Sequence, residues 1–291
     1  MKAQLSRLDQ CAAYDEAGRS QRAEIDSLLP ADWTWEGKTL LDFRCGAGRM
    51  LRQFVGEAAS TQIIGFDTHA PSITWLNSNA TMFTANRCGD TPWLPGQPDS
   101  SVDVVTAFSA FTRLTTYSLA WLLELHRVLR PGGVLIAGIF NAAAWHHAYA
   151  GTSAFDSDRV GMRIVNDFTG WDVDTPKVFI AEWWLREHWG RAFDVLEVVP
   201  RDAGPSDGLD SGKSLVVLRR REVELTSSDL EAVLATEPRE APALVETVAQ
   251  LNRDVDAARE KLALYADRLL KALRMCQAME TQMNQTSATT R

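Results

Sequence analysis

The chain has 291 residues, ordinary apolar content at 45%, and a formal net charge of −8. That length allows about two domains with a sizeable core, and the acidic balance argues against a non-specific nucleic-acid binder, which needs a basic face. Four cysteines (Cys11, Cys45, Cys88, Cys276) with no C-x-x-C pair fit reduced thiols in a cytoplasmic protein better than a disulfide framework or a zinc site. The opening "MKAQLSRLDQ" lacks an apolar leader core, and no stretch reaches the length of a membrane span.

Residues 1–36 predict polar helix ending near Leu29-Pro30, placed as a lid or cap. From about residue 37 the pattern changes to alternating strands and helices. "TLLDF" is followed by the amphipathic "GRMLRQFVGEA", "QIIGFD" by "APSITWLNSNA", and "TMFTAN" and "SVDVVTAF" are further strands. "TYSLAWLLELHRVL" has helical periodicity and stops at "RPGG", before the buried strand "VLIAGIF". Strands separated by helices in this order indicate a mostly parallel sheet covered on both faces. "EWWLREHWGRA" then predicts a helix, and "FDVLEVV" and "SLVVL", joined by a turn-rich loop, an antiparallel hairpin.

Residues 223–242 read as a linker. Beyond them Leu244, Val248, Leu251, Val255, Ala258, Leu262, Tyr265, Leu269, Ala272, Cys276, Met279 and Met283 follow steps of four and three. Sustained 3.5-residue spacing marks a coiled-coil seam, expected over 243–285, with 286–291 as a disordered tail. Asp254 and Arg259 fall at flanking g and e positions where a parallel partner can pair them. Self-association through this helix, favouring a dimer, is therefore expected, the alternative being a helix packed back on its own domain.

The chemistry-bearing stretch is "LLDFRCGAGRM". Strand, glycine turn and helix N-terminus make a site for an anion or a cofactor backbone. Gly46 and Gly48 permit close main-chain approach, and Asp67 ends the next strand about twenty residues on, where a carboxylate accepts ribose hydroxyls. A dinucleotide fingerprint wants a third glycine where Leu51 stands, which counts against a nicotinamide cofactor. Asp42 can face a positive amino group, and Asp90 in "GDTPWLP" can accept from an adenine amino group.

With these features in this order, residues 35–222 resemble the class I S-adenosylmethionine-dependent methyltransferases. The resemblance implies a Rossmann-like, seven-stranded α/β sheet with a terminal antiparallel hairpin. It implies S-adenosylmethionine as cofactor, with contacts from Asp42, Gly46, Gly48, Asp67 and Asp90. The chain departs from the family at Arg44, where the pattern has glycine; the arginine either costs backbone strain and fills the pocket, swings outward, or pairs with the cofactor carboxylate. It departs again at Arg113 in "FSAFTRL", where relatives often carry histidine; arginine cannot act as a base but can orient an anionic acceptor.

Methyl transfer from a sulfonium needs alignment, exclusion of water and, for a hydroxyl acceptor, a base. The candidate bases are His146 and His147 in "AAAWHHAYAG" and His188 in "WWLREHWGRAF". No carboxylate lies at helical spacing from the histidine pair, so no metal is expected. Trp145, Trp183 and Trp184 read either as a stacking wall for a sugar or aromatic acceptor or as core and lid packing. The rod, and a likeness to methyltransferases encoded with surface-polysaccharide enzymes, point to O-methylation of a sugar, glycan or small molecule. The alternatives are a catalytically silent scaffold working through its coiled coil, which Arg44 favours, and an NAD-linked dehydrogenase.

Overall fold

In the computed structural model, which describes residues 2–149, 155–165, 176–201 and 212–289, the apolar run at residue 39 becomes β1 (Thr39–Phe43), buried along its whole length. β2 (Gln62–Asp67), β3 (Thr84–Arg87), β4 (Val102–Ala107) and β5 (Leu129–Phe140) line up in the order β3-β2-β1-β4-β5, all parallel. Alternate residues serve opposite faces, as the two-residue period of a strand requires. Leu40, Val104 and Ile136 enter one core cluster, while Leu41, Val105 and Leu135 enter the other. Strands buried on both faces need continuous apolar runs, which is why these segments show no polar alternation.

The far half of the sheet is antiparallel. β9 (Lys213–Arg220) runs against β5 from Val134↔Arg219 to Phe140↔Lys213, and β8 (Phe193–Val199) runs against β9. A further pair, β6 (Met162–Val165) and β7 (Lys177–Ile180), attaches to the last residue of β5 through Phe140↔Phe179. Among the described residues the sheet therefore has nine strands, not the seven expected from the sequence. The added pair forms because Val178, Phe179 and Ile180 are almost fully buried, between the main core and a third cluster around Trp145.

Helices α2 (Ala70–Asn79), α3 (Ser118–Val128), α4 (Ala142–Ala148) and α5 (Glu182–His188) connect the strands. α2 starts with the side chain of His69 accepting from the amide of Ser72 and Pro71 in its first turn; α4 is capped by Asn141. The amphipathic helix expected at 48–58 is reduced to a 3₁₀ turn at Leu51–Phe54. α1 (Lys2–Leu28) packs against this turn: the Arg22 guanidinium donates to the carbonyl of Gln53 and the carboxylate of Glu57, and stands 3.9 Å over the ring of Phe54.

The stretch expected as a linker is anchored instead. α6 (Ser227–Glu231) begins with a capping box between Thr226 and Asp229, and its Leu230 is fully buried in the main core. α7 (Glu240–Thr289) starts three residues earlier than expected and continues as helix through 286–289, expected as tail. No helix among the described residues is long and apolar enough to cross a membrane.

Gly138 of β5 fixes the crossing that leads to the site. A Cβ there would lie 2.1 Å from the carbonyl oxygen of Phe108, so the chain leaving β4 passes directly over β5. Gly138→Ala is expected to destabilise the protein by about 2 kcal/mol or more. An unchanged urea-unfolding midpoint would show that the crossing is looser than described.

Candidate functional site

The turn after β1 needs three residues at positive φ: Arg44 (68°), Gly46 (54°) and Gly48 (76°). Gly48 is also required by contact, since a Cβ would lie 2.6 Å from Leu76 of α2. Arg44 thus holds a conformation that glycine adopts freely and L-residues adopt at a cost of roughly 1–2 kcal/mol. The turn hangs on the end of β2. The amides of Arg44 and Cys45 donate to the carbonyl of Phe66 at 2.8 and 3.1 Å. The Asp67 carboxylate accepts from the amide of Gly46 through one oxygen and the amide of His69 through the other, both at 2.8 Å.

Asp42, at the end of β1, is 6% exposed and accepts a 2.9 Å hydrogen bond from the Thr106 hydroxyl of β4. Burial, reinforced by the like charge of Asp67, pushes its carboxyl up to about 7, although Thr106 and Arg49 pull the other way. Burial likewise raises the Cys45 thiol far above its ordinary range, and Cys88 to about 11. Both thiols are therefore protonated near neutrality.

Past the end of β1 opens a cleft of about 250 Å³, walled by Phe43, Arg44, Thr68, Asp90, Arg113 and Trp121 among others; Asp42 and Asp67 are not in its wall. The fold thus gathers Asp42, Arg44, Gly46, Gly48, Asp67, Asp90 and Arg113 at the carboxyl ends of the first four strands, where open α/β sheets bind ligands. Arg44 and Asp90 share the cleft, while the electrostatic neighbours of Asp42 are Asp67 and Arg49.

Tyr14 of α1 closes over the glycine turn, its ring 5.6 Å from the Arg49 guanidinium and 5.1 Å from that of Arg52. Burial raises its phenol above the ordinary value. Beyond β4, Lys213 is 3% exposed, and its Nζ lies 3.0 Å from the Ser109 hydroxyl. Alongside, Asn141 donates to the Ser214 hydroxyl at 2.7 Å.

The other expected site residues are not gathered at this cleft. His146 and His147 lie exposed on α4. His188 is 2% exposed, with Nδ1 2.6 Å from the carbonyl of Leu230, Nε2 3.0 Å from the Glu240 carboxylate, and its ring stacked on Trp184. Burial holds its imidazole below the ordinary value. It fastens α5 to α6 and α7 rather than serving as a base at the cleft. Trp145 is packed against Tyr149, Phe155 and Phe179, and Trp183 donates to the Val160 carbonyl. Trp184 packs over Gly161. All three are packing groups, the second of the two readings. Among the described residues no His, Cys, Asp and Glu cluster fits a metal ion.

Thr106, Tyr14, Ser109 and Lys213 did not stand out in the sequence. Thr106 leaves one signal, a hydroxyl in the otherwise apolar run after Asp103. The others have none, because their partners lie 28 or more residues away.

Residues 41–137 match the family model described as a methyltransferase domain. No curated protein matches the chain. Solved structures share the fold at low identity. One is a SAM-dependent methyltransferase from Methanosarcina mazei, with TM-score 0.50 and 15% identity over 67% of this chain and 96% of that one. A putative S-adenosylmethionine dependent methyltransferase from Listeria monocytogenes gives 0.53 and 14%, over 71% and 100%. An S-adenosylmethionine dependent methyltransferase from Mesorhizobium loti gives 0.50 and 16%, over 68% and 96%. The chain therefore has the Rossmann-like methyltransferase fold, and the residues matched by the family model run from β1 through the glycine turn into β5.

The raised Asp42 carboxyl has a consequence for stability. Its value in the folded protein lies above that of a free carboxyl, so the protonated form favours folding. That contribution is complete below about pH 4 and is lost as pH rises through 7. Asp42→Asn should therefore melt higher than the natural protein at pH 8, by up to a few kcal/mol at roughly 1.4 kcal/mol per pKa unit, and alike at pH 4. Equal thermal stability at pH 8 would contradict the burial argument.

Proposed function

We propose that the protein is an S-adenosylmethionine-dependent methyltransferase acting on a hydroxyl of a sugar, glycan or related small acceptor. The observation that carries the cofactor assignment is the buried Asp42 carboxylate, under the like charge of Asp67, at the strand end that leads into the glycine turn. Such a group is relieved by an incoming cation, and the amino group of the cofactor's methionine end is one. The donor set fits the rest of the molecule too. Asp67 keeps further lone pairs for ribose hydroxyls after taking two amides, and Asp90 stands in the cleft for the base. When bound, the cofactor supplies a methyl group on an already activated sulfonium.

The chain's own task is then alignment and the exclusion of water. α1, with Tyr14 above the glycine turn, covers the amino-acid end. On the acceptor side the support for a hydroxyl-bearing substrate is the polar rim of Ser109, Asn141, Lys213 and Ser214 past β4 and β5. Lys213, held against Ser109, is a donor that can orient a hydroxyl. His146 and His147, exposed on the helix after β5, are the bases to test.

Titration calorimetry with S-adenosylhomocysteine and with NADH tests the cofactor: binding of the first and none of the second is expected. Because Asp42 must be ionised to hold an ammonium, affinity should rise with pH and level off above about 7. At pH 6 it should be roughly tenfold below the plateau. Affinity that does not change between pH 6 and 8 would remove Asp42 from the site.

A second reading is favoured by Arg44, which lines the cleft at positive φ: a silent domain carried by its helical rod. Arg44→Gly should leave S-adenosylhomocysteine binding intact or several-fold tighter. If the natural protein ignores the nucleoside at millimolar supply and the glycine variant binds it, the silent reading replaces the first.

A further inference from the structure

α7 buries only its beginning. Ala243 enters the third core cluster, and Glu246 pairs with Arg163 of β6 at 3.0 Å and with Arg253 at 2.9 Å. With His188 on Glu240, these contacts fix the direction in which the helix leaves the body. From Leu251 to Met279 almost every residue is exposed. The apolar seam is exposed with it: Leu251 56%, Val255 47%, Leu262 70% and Leu269 62%. A helix of 50 residues, about 75 Å long, has no reason to keep an apolar stripe in water unless another surface covers it.

We infer that a second copy of this chain covers it, as a parallel, in-register, two-stranded coiled coil over about residues 244–279. The inference goes beyond the methyltransferase assignment and does not depend on it. The steps of three and four put Val248, Val255, Leu262, Leu269 and Cys276 at a positions. Leu244, Leu251, Ala258, Tyr265, Ala272 and Met279 take the d positions. A 3.5-residue seam is matched only by a surface with the same repeat, since each knob must meet a hole in the facing helix. β-branched valine at a (Val248, Val255) with leucine at d (Leu244, Leu251) at the root of the seam favours two parallel strands.

The flanks agree. In a parallel, in-register pair each g residue meets the e residue five places on in the partner. Asp254 then faces Arg259, and Thr247, Lys261 and Arg268 face Asn252, Ala266 and Leu273. One pair attracts and none repels. Near the far end Ala272 and Cys276 narrow the seam while Leu273 and Met275 widen its flanks, so the helices can approach closely there. Because each rod leaves its body from the same clamped root, both methyltransferase domains stand at one end of the pair.

Cys276 makes orientation and register measurable. It is an exposed thiol at an a position. Only a parallel, in-register pair sets two such residues face to face, within the roughly 4–7 Å Cα separation that a disulfide spans. Sedimentation equilibrium of the full chain should give twice the monomer mass. Mild oxidation with copper–phenanthroline, which removes two electrons and two protons from the thiol pair, should give a Cys276–Cys276 disulfide by mass spectrometry. Cys276→Ser should abolish the cross-link without changing the mass, and Cys11→Ser should leave it. Leu251→Glu with Leu262→Glu, both outside the folded body, should give monomers. A monomer or trimer for the natural chain, or a dimer that never cross-links at Cys276, overturns the proposal.

Discussion

The carboxylate of Asp67 is the hinge of the site. By taking one amide from the glycine turn and one from the start of the following helix, it holds two loops from different strands in one arrangement. Charge-assisted hydrogen bonds to backbone donors are stronger than neutral ones. The turn they hold carries three positive-φ residues in five. Strain of that kind persists only where neighbours over-determine the backbone. The two carbonyl bonds to Phe66 and the contact of Gly48 with Leu76 complete that constraint.

From this arrangement follows the electrostatics. Asp42 is kept out of water by the same turn and by α1, with one hydroxyl from Thr106 and the charge of Asp67 nearby. An ionised carboxylate in that position costs stability until a cation joins it. Sites commonly carry such a cost in the free protein because binding returns it. Arg44 holds a positive φ that glycine adopts freely, and it lines the cleft past the end of β1. It is the feature that most distinguishes this cleft from the general pattern of the fold.

The edge of β5 and the long last helix are linked through packing. β6 and β7, added to the edge of β5, carry Arg163 and the apolar residues on which the root of α7 rests. His188, Trp145, Trp183 and Trp184 belong to this join. These residues, whose types suggested catalysis or stacking, are packed where the root of α7 meets the domain.

Local periodicity was enough to read the parallel half of the sheet, the strand–turn–acid order of Asp42, Gly46, Gly48 and Asp67, and the heptads of the last helix, because each is written in residues close together in the chain. The expected helix after the glycine turn is only a 3₁₀ turn, packed against Arg22 from a helix far upstream. The two additional strands, the anchoring of α6 and the burial of His188 also went unread. Tertiary structure alone decided which side chains meet. Thr106 reaches Asp42 across 64 residues, and Lys213 reaches Ser109 across 104. No pattern of neighbours encodes such pairs; they exist because separate strands end side by side at one rim of the sheet.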